Sequence, residues 1–223
     1  MHNKLIATAD GSHTVLSTET NETYHSENGA INESVHVYIQ HGLSQIKKNE
    51  INILEIGFGT GLNALLTKQY ALEHAKQIIY FSIEKFPLGE ETIGQLNYPE
   101  QLKIEKESFL KLHHCKWDNW EQVYSNFKLF KQQVDLTEFD FTKLKNIDLV
   151  YFDAFSPSKQ PELWTEEIFR QLYQIMSPDG FLTTYSSAGI VKRALRTVGF
   201  KVKRKPGPKG KFHILNAFRM DNA

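Results

Sequence analysis

The chain has 223 residues, of which 40% are hydrophobic and 12% aromatic, and its formal net charge is zero. This length suffices for one sizeable core and predicts a single domain over residues 1–223. Zero net charge argues against nucleic-acid binding through overall charge, and the single cysteine excludes an internal disulfide. No apolar run approaches the roughly 18 residues of a membrane helix, so we expect a cytoplasmic protein without a membrane partner.

The first 31 residues are predicted to form a small extension of the main fold. Residues 4–8 and 13–17 read as two strands of a β-hairpin that turns at Asp10-Gly11. Residues 32–48 follow with apolar side chains at helical spacing, which predicts a helix.

From residue 51 onward, short apolar runs alternate with helical patterns, which predicts a doubly wound α/β sheet. The runs are apolar throughout, as is typical of parallel strands covered on both faces. Residues 200–205 and 212–218, joined by a Pro- and Gly-rich turn, predict an antiparallel hairpin at the sheet edge. The stretch 99–127 fits the alternation least, and we expect an insertion there. The predicted central strands lie near 53–56, 78–83, 127–134, 147–152 and 180–185, and the helices near 61–76, 88–97, 165–176 and 188–198.

A glycine-rich loop follows the first predicted strand of this sheet. Its glycines let the backbone turn sharply and approach a ligand that lies across the strand end. Residues 59–64 also satisfy the looser dinucleotide pattern G-x-G-x-x-A, so a nicotinamide or flavin enzyme is an alternative. The loop and the acid before it are Glu55, Gly57, Phe58, Gly59 and Gly61.

The acid before the loop separates these two readings. A carboxylate at Glu55 suits the amino and hydroxyl donors of S-adenosylmethionine, whereas it would repel a pyrophosphate at that helix end. Glu84 ends the second strand, where an acid accepts hydrogen bonds from ribose hydroxyls. Asp135, after the next strand, is predicted to accept from the adenine amino group, with Glu138 and Asp140 as nearby competitors. S-adenosylmethionine is therefore the predicted cofactor.

The 99–127 stretch contains two patterns that we discount as functional sites. Three successive residues, His113-His114-Cys115, cannot easily converge on one metal ion, and no spaced partner pair accompanies them, so no metal is expected. Trp117, Trp120 and Tyr124 stand at helical spacing, which favours a packing face over a base-stacking platform.

The loop after the fourth predicted strand carries the candidate catalytic residue. Asp153 comes at a carboxyl strand end, where the ligand crevice of an open α/β sheet lies. An amine methyl acceptor must react as the neutral amine, so a group is needed to orient it and take its proton, and Asp153 suits that role. A flat acceptor would stack on Phe155 or Trp164, with Pro157 stiffening the loop. The alternative is a buried carboxylate among core aromatics.

The carboxy-terminal segment is strongly basic. From Lys192 to the end, ten Lys and Arg residues stand against the single acid Asp221. Taken alone, such a run is most often a solvated face.

With these residues identified, the sequence resembles the MnmC/MnmD family of methyltransferases. The resemblance extends over most of the chain, and the stretch 153–164 is more specific than the glycine loop. It implies a Rossmann-like class I methyltransferase fold, with Asp153 as the active-site aspartate. The matching stretches are 24–29, 33–34, 55–62, 153–164, 186–193 and 199–200.

The resemblance also implies a reaction and a partner. The family transfers a methyl group from S-adenosylmethionine to the exocyclic amine of 5-aminomethyluridine, or its 2-thio form, at the tRNA wobble position. The chain looks like the methyltransferase without the flavin oxidase, so separate enzymes would install the 5-aminomethyl or carboxymethylaminomethyl group. Tyr24 and Glu33 would then close over cofactor or acceptor, or simply brace the surface. The basic residues expected to contact phosphates of the anticodon stem-loop are Lys192, Arg193, Lys203, Arg204, Lys209 and Lys211.

Three alternatives remain open at this point. The first is a nicotinamide-dependent oxidoreductase that uses the G-x-G-x-x-A match. The second is a non-catalytic RNA-binding protein that keeps the fold for its basic surface. The third is a methyltransferase that acts on a small-molecule or protein amine.

Overall fold

Two β-sheets organise the chain in the computed structural model, which describes residues 4–220. The larger sheet has eight strands in the order β10-β11-β9-β8-β4-β5-β7-β6, and the smaller has the order β1-β2-β3. The strands are β1 (Lys4–Ala7), β2 (His13–Ser17), β3 (Glu22–Thr23), β4 (Glu50–Ile56), β5 (Gln77–Glu84), β6 (Trp120–Tyr124), β7 (Phe127–Gln133), β8 (Ile147–Phe152), β9 (Met176–Thr184), β10 (Lys201–Pro206) and β11 (His213–Phe218).

Seven α-helices accompany these strands in the described part of the chain. None of the helices within residues 4–220 combines the length and the apolar character needed to cross a membrane. The helices are α1 (Ala30–Ser34), α2 (Leu62–Glu73), α3 (Glu90–Gln95), α4 (Tyr98–Leu102), α5 (Lys106–His114), α6 (Glu166–Ile175) and α7 (Gly189–Val198).

The large sheet confirms the predicted fold class. Its five central strands, from β9 to β7, run parallel, while β11 pairs antiparallel with both β9 and β10. The basic carboxy-terminal hairpin therefore closes one edge of the sheet, as predicted. The amino-terminal hairpin is also present, and β3 extends it to a three-stranded antiparallel sheet.

Two hydrophobic clusters cover the faces of the large sheet. One face packs against α2, α5 and the amino-terminal segment, and the other against α6 and α7. The strands alternate their side chains between these two clusters, so every residue of β8 is buried. This two-sided burial explains why β8 is mainly apolar, whereas β7, nearer the sheet edge, alternates apolar and polar residues.

The helix predicted over 32–48 is broken into three short pieces. After α1 the chain forms a π-helical turn over Val35–Gln40 and then a 3₁₀ turn over Leu43–Gln45. The wide turn buries Val37 and Tyr38, whereas a regular helix would have buried Val35 and Ile39. Single π-helical turns are frequent at functional sites, and here the turn carries Tyr38 into the core.

The stretch 99–127 contains α4, α5 and β6 before it enters β7. The prediction of helical spacing for its aromatic residues was wrong, because Trp120 and Tyr124 lie on β6, which pairs with β7. The ring of Trp117 packs against Phe58 and the Lys131 ammonium. Spacing alone cannot separate a helix from an irregular edge strand in so short a segment.

A buried carboxylate connects three strands at the amino end of the sheet. Asp148 on β8 accepts hydrogen bonds from the Ser177 hydroxyl at 2.6 Å and the Asn52 backbone N–H at 3.0 Å. The Lys48 ammonium binds the same carboxylate from the surface. Asp148 thereby joins β8 to both neighbouring strands.

We expect Asp148→Ala to lower the free energy of unfolding by roughly 2–4 kcal/mol, because buried donors lose their charged acceptor. Urea denaturation followed by circular dichroism would measure the change. Glu167→Ala, which removes an exposed carboxylate that contacts Arg170 and Gln171 on the same helix, serves as the control and should cost less than about 0.5 kcal/mol. Equal costs for the two variants would contradict a structural role for Asp148.

Candidate active site

A cavity of about 820 Å³ opens at the carboxyl ends of the central strands. The loops after β4, β5, β7 and β8 form one wall, and residues 17–33 of the amino-terminal segment form much of the other. Ligands of open α/β sheets bind at this edge, so the cavity is the candidate active site.

The cavity wall is strongly acidic. Its two lysines are both paired with acids: Lys85 with Asp135 and Lys211 with Glu33, each at 2.6 Å. The wall therefore favours positively charged ligands and opposes phosphate groups. The acids that line it are Glu19, Glu22, Glu27, Glu33, Glu84, Asp135, Asp153 and Glu162.

The glycine loop lies against this cavity in a backbone conformation that favours glycine. Gly57 has φ +91°, and a Cβ atom there would lie 2.8 Å from the carbonyl oxygen of Asp153. Gly59 has φ +48°, and its Cβ would lie 2.9 Å from the ring of Tyr24. The chain therefore needs glycine here both for conformation and for space. Phe58 also lines the cavity, while Gly61 caps the amino end of α2 behind the wall.

Glu84 holds the glycine loop and still faces the cavity. Its Oε2 atom accepts the backbone N–H of Gly59 at 2.9 Å, and its Oε1 atom accepts that of Phe86 at 2.8 Å. Burial raises the pKa of this carboxyl above its ordinary value. A carboxylate has about four acceptor positions, so Glu84 keeps capacity for ligand hydroxyls.

Asp135 also lines the cavity, but its oxygens already have partners. One oxygen accepts from the backbone N–H and hydroxyl of Thr137, and the other binds the Lys85 ammonium. Its two competitors, Glu138 and Asp140, do not line the cavity.

Glu55 lies beneath the glycine loop rather than in the cavity wall. Its side chain is fully buried, and its Oε2 atom accepts the Ser82 hydroxyl at 2.8 Å. Burial raises the pKa of Glu55 well above its ordinary value. Oε1 has no hydrogen-bond partner among the described residues. Glu55 is not among the residues that line the cavity, although the next residue, Ile56, is. Its predicted contact with the cofactor stays a prediction.

Asp153 lies in the cavity wall, and each of its carboxyl oxygens accepts one hydrogen bond. The Tyr38 hydroxyl donates to Oδ1 at 2.5 Å, and the Asn63 amide donates to Oδ2 at 2.8 Å. Burial raises the pKa of Asp153 to about 7, and the two hydrogen bonds oppose that rise. A carboxyl group with a pKa near neutrality, held from two sides, is suited to exchange a proton with a ligand.

Two aromatic rings flank the cavity beside Asp153. Tyr24 and Phe155 both line it and meet edge to face, with ring centroids 5.0 Å apart. Trp164 is only 2% exposed and donates its indole N–H to the Phe155 carbonyl oxygen at 2.9 Å. Trp164 therefore supports the loop from the core and presents no ring face to the cavity, contrary to the predicted stacking. Pro157 lies outside the cavity wall as well.

The predicted basic residues divide between the cavity and the outer surface. Lys211 lines the cavity, where its ammonium contacts Glu33 and lies 4.1 Å from the ring centroid of Tyr185. Lys209 is exposed on the turn between β10 and β11, and Lys192 and Arg193 lie on α7, away from the cavity wall.

Four residues that the sequence did not single out belong to this site. Tyr38 and Asn63 donate hydrogen bonds to Asp153. The ring of Tyr185 contacts the Lys211 ammonium. The His25 ring is hydrogen-bonded to the Thr60 hydroxyl at 2.7 Å. Burial lowers the pKa of His25 to about 4, so its imidazole is neutral near pH 7. Of these four, only Asn63 could have been predicted from the sequence, because it lies in the first helical turn after the glycine loop.

A profile of the S-adenosyl-L-methionine-dependent methyltransferases matches residues 104–220, which is more than half of the chain. The chain belongs to this methyltransferase family. S-adenosylmethionine is accordingly its cofactor, as predicted.

Relatives of this methyltransferase include bifunctional proteins named MnmC, which act in tRNA 5-methylaminomethyl-2-thiouridine biosynthesis. The MnmC of Actinobacillus pleuropneumoniae is 28% identical over 218 residues, which cover 89% of this chain and 32% of the relative. That of Pseudomonas fluorescens is 30% identical over 211 residues, covering 87% and 31%. The predicted resemblance to the MnmC/MnmD family is confirmed, and the chain spans about a third of the length of these curated relatives.

Solved structures agree with this assignment. MNMC2 from Aquifex aeolicus superposes with a TM-score of 0.78 at 28% identity, covering 97% of this methyltransferase and 69% of that chain. Spermidine synthase from Thermotoga maritima superposes with a TM-score of 0.53 at 16% identity, covering 98% and 72%. The second likeness shows a shared fold alone.

The residues of the cavity fit S-adenosylmethionine better than a dinucleotide. The acidic wall suits its sulfonium and ammonium charges, and Glu84 offers acceptors for ribose hydroxyls. No side chain within residues 4–220 caps the first turn of α2, so its backbone N–H groups remain for a carboxylate. A pyrophosphate would meet the Glu84 carboxylate at the Gly59 N–H, which argues against the nicotinamide alternative.

We expect Gly57→Ala to abolish measurable binding of S-adenosylhomocysteine, because the added methyl group would push the glycine loop away from Asp153. Isothermal titration calorimetry would measure the affinity. Gly94→Ala is the matched control, since its Cβ meets open space within α3 and alanine is the better helix former by up to about 1 kcal/mol. Wild-type affinity in Gly57→Ala would show that the loop tolerates a side chain.

Proposed function

We propose that this chain transfers a methyl group from S-adenosylmethionine to the exocyclic amine of 5-aminomethyluridine, or its 2-thio form, at the wobble position of tRNA. The observation that carries the proposal is the Asp153 carboxyl group, held by Tyr38 and Asn63 in an acidic cavity beside the glycine loop. The names of the MnmC relatives support the tRNA substrate.

The acidic cavity suits an amine acceptor in particular. A primary alkylamine, like the side chain of lysine with its pKa of about 10.4, is almost fully protonated at neutral pH. The carboxylates of Asp153 and Glu33 attract this cation into the cavity. The protonated amine has no lone pair, so the site must also remove its proton before methylation.

Asp153 is the residue placed to take that proton. When bound, S-adenosylmethionine supplies an electrophilic methyl group. Asp153 in its ionised form accepts a proton from the ammonium group and leaves the neutral amine hydrogen-bonded to it. Tyr38 and Asn63 donate to the two carboxyl oxygens and so fix the plane of the carboxylate toward the cavity. Catalysis then rests mainly on positioning.

The surrounding aromatic side chains would hold the uracil ring and exclude water. Phe155 and Tyr24 line the same part of the cavity, and the Tyr185 hydroxyl donates to the Ala154 carbonyl oxygen at 2.9 Å. These contacts connect the loop after β8 to the amino-terminal segment and to β9. A base that enters the cavity would meet rigid aromatic edges and faces.

The RNA backbone would bind outside this cavity, on a surface that we call the basic face. It consists of α7 and the β10–β11 hairpin. Its positive charges lie close enough together to affect one another. Desolvation, followed by the nearby Arg204, Arg196 and Arg193, lowers the pKa of the Lys192 ammonium. The basic face comprises Lys192, Arg193, Arg196, Lys203, Arg204 and Lys209.

We expect Asp153→Asn to reduce kcat by at least about 100-fold, because the amide cannot accept the amine proton. Asn is nearly isosteric, and a flip of the Asn63 amide would present its free Oδ1 atom to the new NH₂ group. S-adenosylhomocysteine should therefore bind with near wild-type affinity. Liquid chromatography with mass spectrometry of tRNA nucleosides would measure methyl transfer, and calorimetry would measure binding.

The same experiment has a pH signature. In the wild type, kcat/KM should rise as pH increases through about 7, because the raised pKa of Asp153 leaves it protonated below that value. The residual activity of the variant should lack this step. Wild-type turnover in Asp153→Asn would show that Asp153 has no catalytic role. Methyl transfer by the wild type to small-molecule or protein amines alone, and not to tRNA, would overturn the tRNA proposal.

Loss of two charges from the basic face should weaken tRNA binding in a salt-dependent way. We expect the Lys192→Ala/Arg204→Ala variant to reduce the slope of log Kd against log salt concentration by roughly 1–2, about 0.7–0.9 for each lost phosphate contact. Filter binding at several salt concentrations would measure it. The control, Lys47→Ala/Lys116→Ala, removes two exposed lysines outside the basic face and should leave the slope unchanged. An unchanged slope in the Lys192→Ala/Arg204→Ala variant would show that the RNA backbone binds elsewhere on the protein.

A further inference from the structure

The most exposed large apolar side chain of the described residues lies at the tip of the β10–β11 hairpin. Phe212 is 95% exposed, immediately before the first residue of β11. Its flanks are the basic residues Lys209 and Lys211, and no acid occurs between Lys192 and Met220. An aromatic ring left in water among positive charges is the arrangement by which proteins bind unstacked nucleobases.

The tip that carries Phe212 is fixed to the body of the protein. The Lys211 ammonium binds Glu33 at 2.6 Å, and the His36 ring contacts the Pro206 carbonyl oxygen at 2.8 Å. Within the turn, the Gly207 N–H donates to the Phe212 carbonyl oxygen at 3.1 Å. The backbone beneath the ring is therefore held in place before any ligand binds, which lowers the ordering cost of binding.

Two successive residues of this tip differ in their surroundings. Lys211 lines the cavity, whereas the next residue, Phe212, extends into solvent. Adjacent Cα atoms are about 3.8 Å apart, so the backbone of Phe212 lies next to a residue whose side chain reaches the cavity. A nucleotide chain whose target base entered the cavity would bring a neighbouring base near this exposed ring.

We propose that Phe212 stacks on the nucleobase next to the methylated uridine and holds the RNA chain open at the cavity mouth. The inference rests on the proposed tRNA substrate and adds a residue that recognises single-stranded RNA there. The acidic cavity admits the target base and repels phosphate, so the chain must splay at this point. Stacking on Phe212 compensates for the base stacking that is lost when the target base leaves the loop.

The test uses an anticodon stem-loop that carries 5-aminomethyluridine, with 2-aminopurine at either flanking position. Binding to the wild type should change 2-aminopurine fluorescence at one flanking position, because stacking on an aromatic ring alters its emission. Phe212→Ala should abolish that change and raise the Kd for the stem-loop roughly 5- to 150-fold. Phe212→Tyr should restore both, whereas Phe212→Leu, apolar but without a ring, should not.

Two controls separate stacking from general damage. S-adenosylhomocysteine should bind all Phe212 variants with wild-type affinity, which reports an intact fold. Leu72→Ala removes another exposed apolar side chain, 66% exposed on α2, and should leave the Kd for the stem-loop unchanged.

The outcomes distinguish this inference from the proposed function. Absence of methyl transfer to the stem-loop by the wild type would overturn the proposed substrate. If the wild type methylates the stem-loop while Phe212→Ala binds equally well with the same fluorescence change, the stacking role is overturned. An equal loss of affinity for a stem without a loop would also overturn it, because the ring would then contact duplex RNA or a general surface.

Discussion

The ends of β4 and β8 lie so close together that no side chain fits between them at Gly57. A Cβ atom there would lie 2.8 Å from the Asp153 carbonyl oxygen, and the Asp153 N–H donates to the Ile56 carbonyl oxygen at 3.0 Å. Parallel pairing therefore makes the cofactor loop and the loop of the candidate catalytic residue one rigid unit. Donor and acceptor of a transferred group must meet near contact distance, so any methyl transfer in this cavity depends on this spacing first.

The amino-terminal segment completes the site from the other side. Glu22 accepts the backbone N–H and hydroxyl of Ser156, which attaches the small sheet to the loop after β8. The π-helical turn that follows α1 delivers the Tyr38 hydroxyl to Asp153, 115 residues away in sequence. The amino-terminal segment, which lies outside the large sheet, thus supplies one of the two hydrogen-bond donors that orient the Asp153 carboxyl group. The wider turn matters because it, and not a regular helix, buries Tyr38.

The parts of the site that follow central strands were predictable, because the carboxyl ends of parallel strands converge by topology. Glu84 and Asp153 were found in this way, together with the glycine loop. Tyr38 was not, because a residue in an irregular segment reaches the site only through tertiary packing. Lys211 was predicted to contact RNA phosphates, whereas it lines the cavity and binds Glu33. Glu55 is a different case: the pattern places it at the end of the strand, but spacing does not specify the direction of its side chain, which is fully buried and does not line the cavity. The break in the helix near residue 35 and strand β6 were missed because such short segments contain too few repeats of the hydrophobic pattern to identify a helix or a strand.

The acidic cavity also explains why the chain separates its charges along the sequence. Eight carboxylates around one cavity repel each other, and burial raises the pKa of Asp153 and Glu84. Both effects lower the stability of the ligand-free protein. Lys85 and Lys211 offset only part of this charge. A cationic ligand relieves the repulsion in the folded state alone, so its binding stabilises the fold by linkage. Further basic side chains in the wall, without acidic partners, would remove that selectivity. Positive charge for an RNA backbone is therefore compatible with the site only on an outer surface such as the basic face.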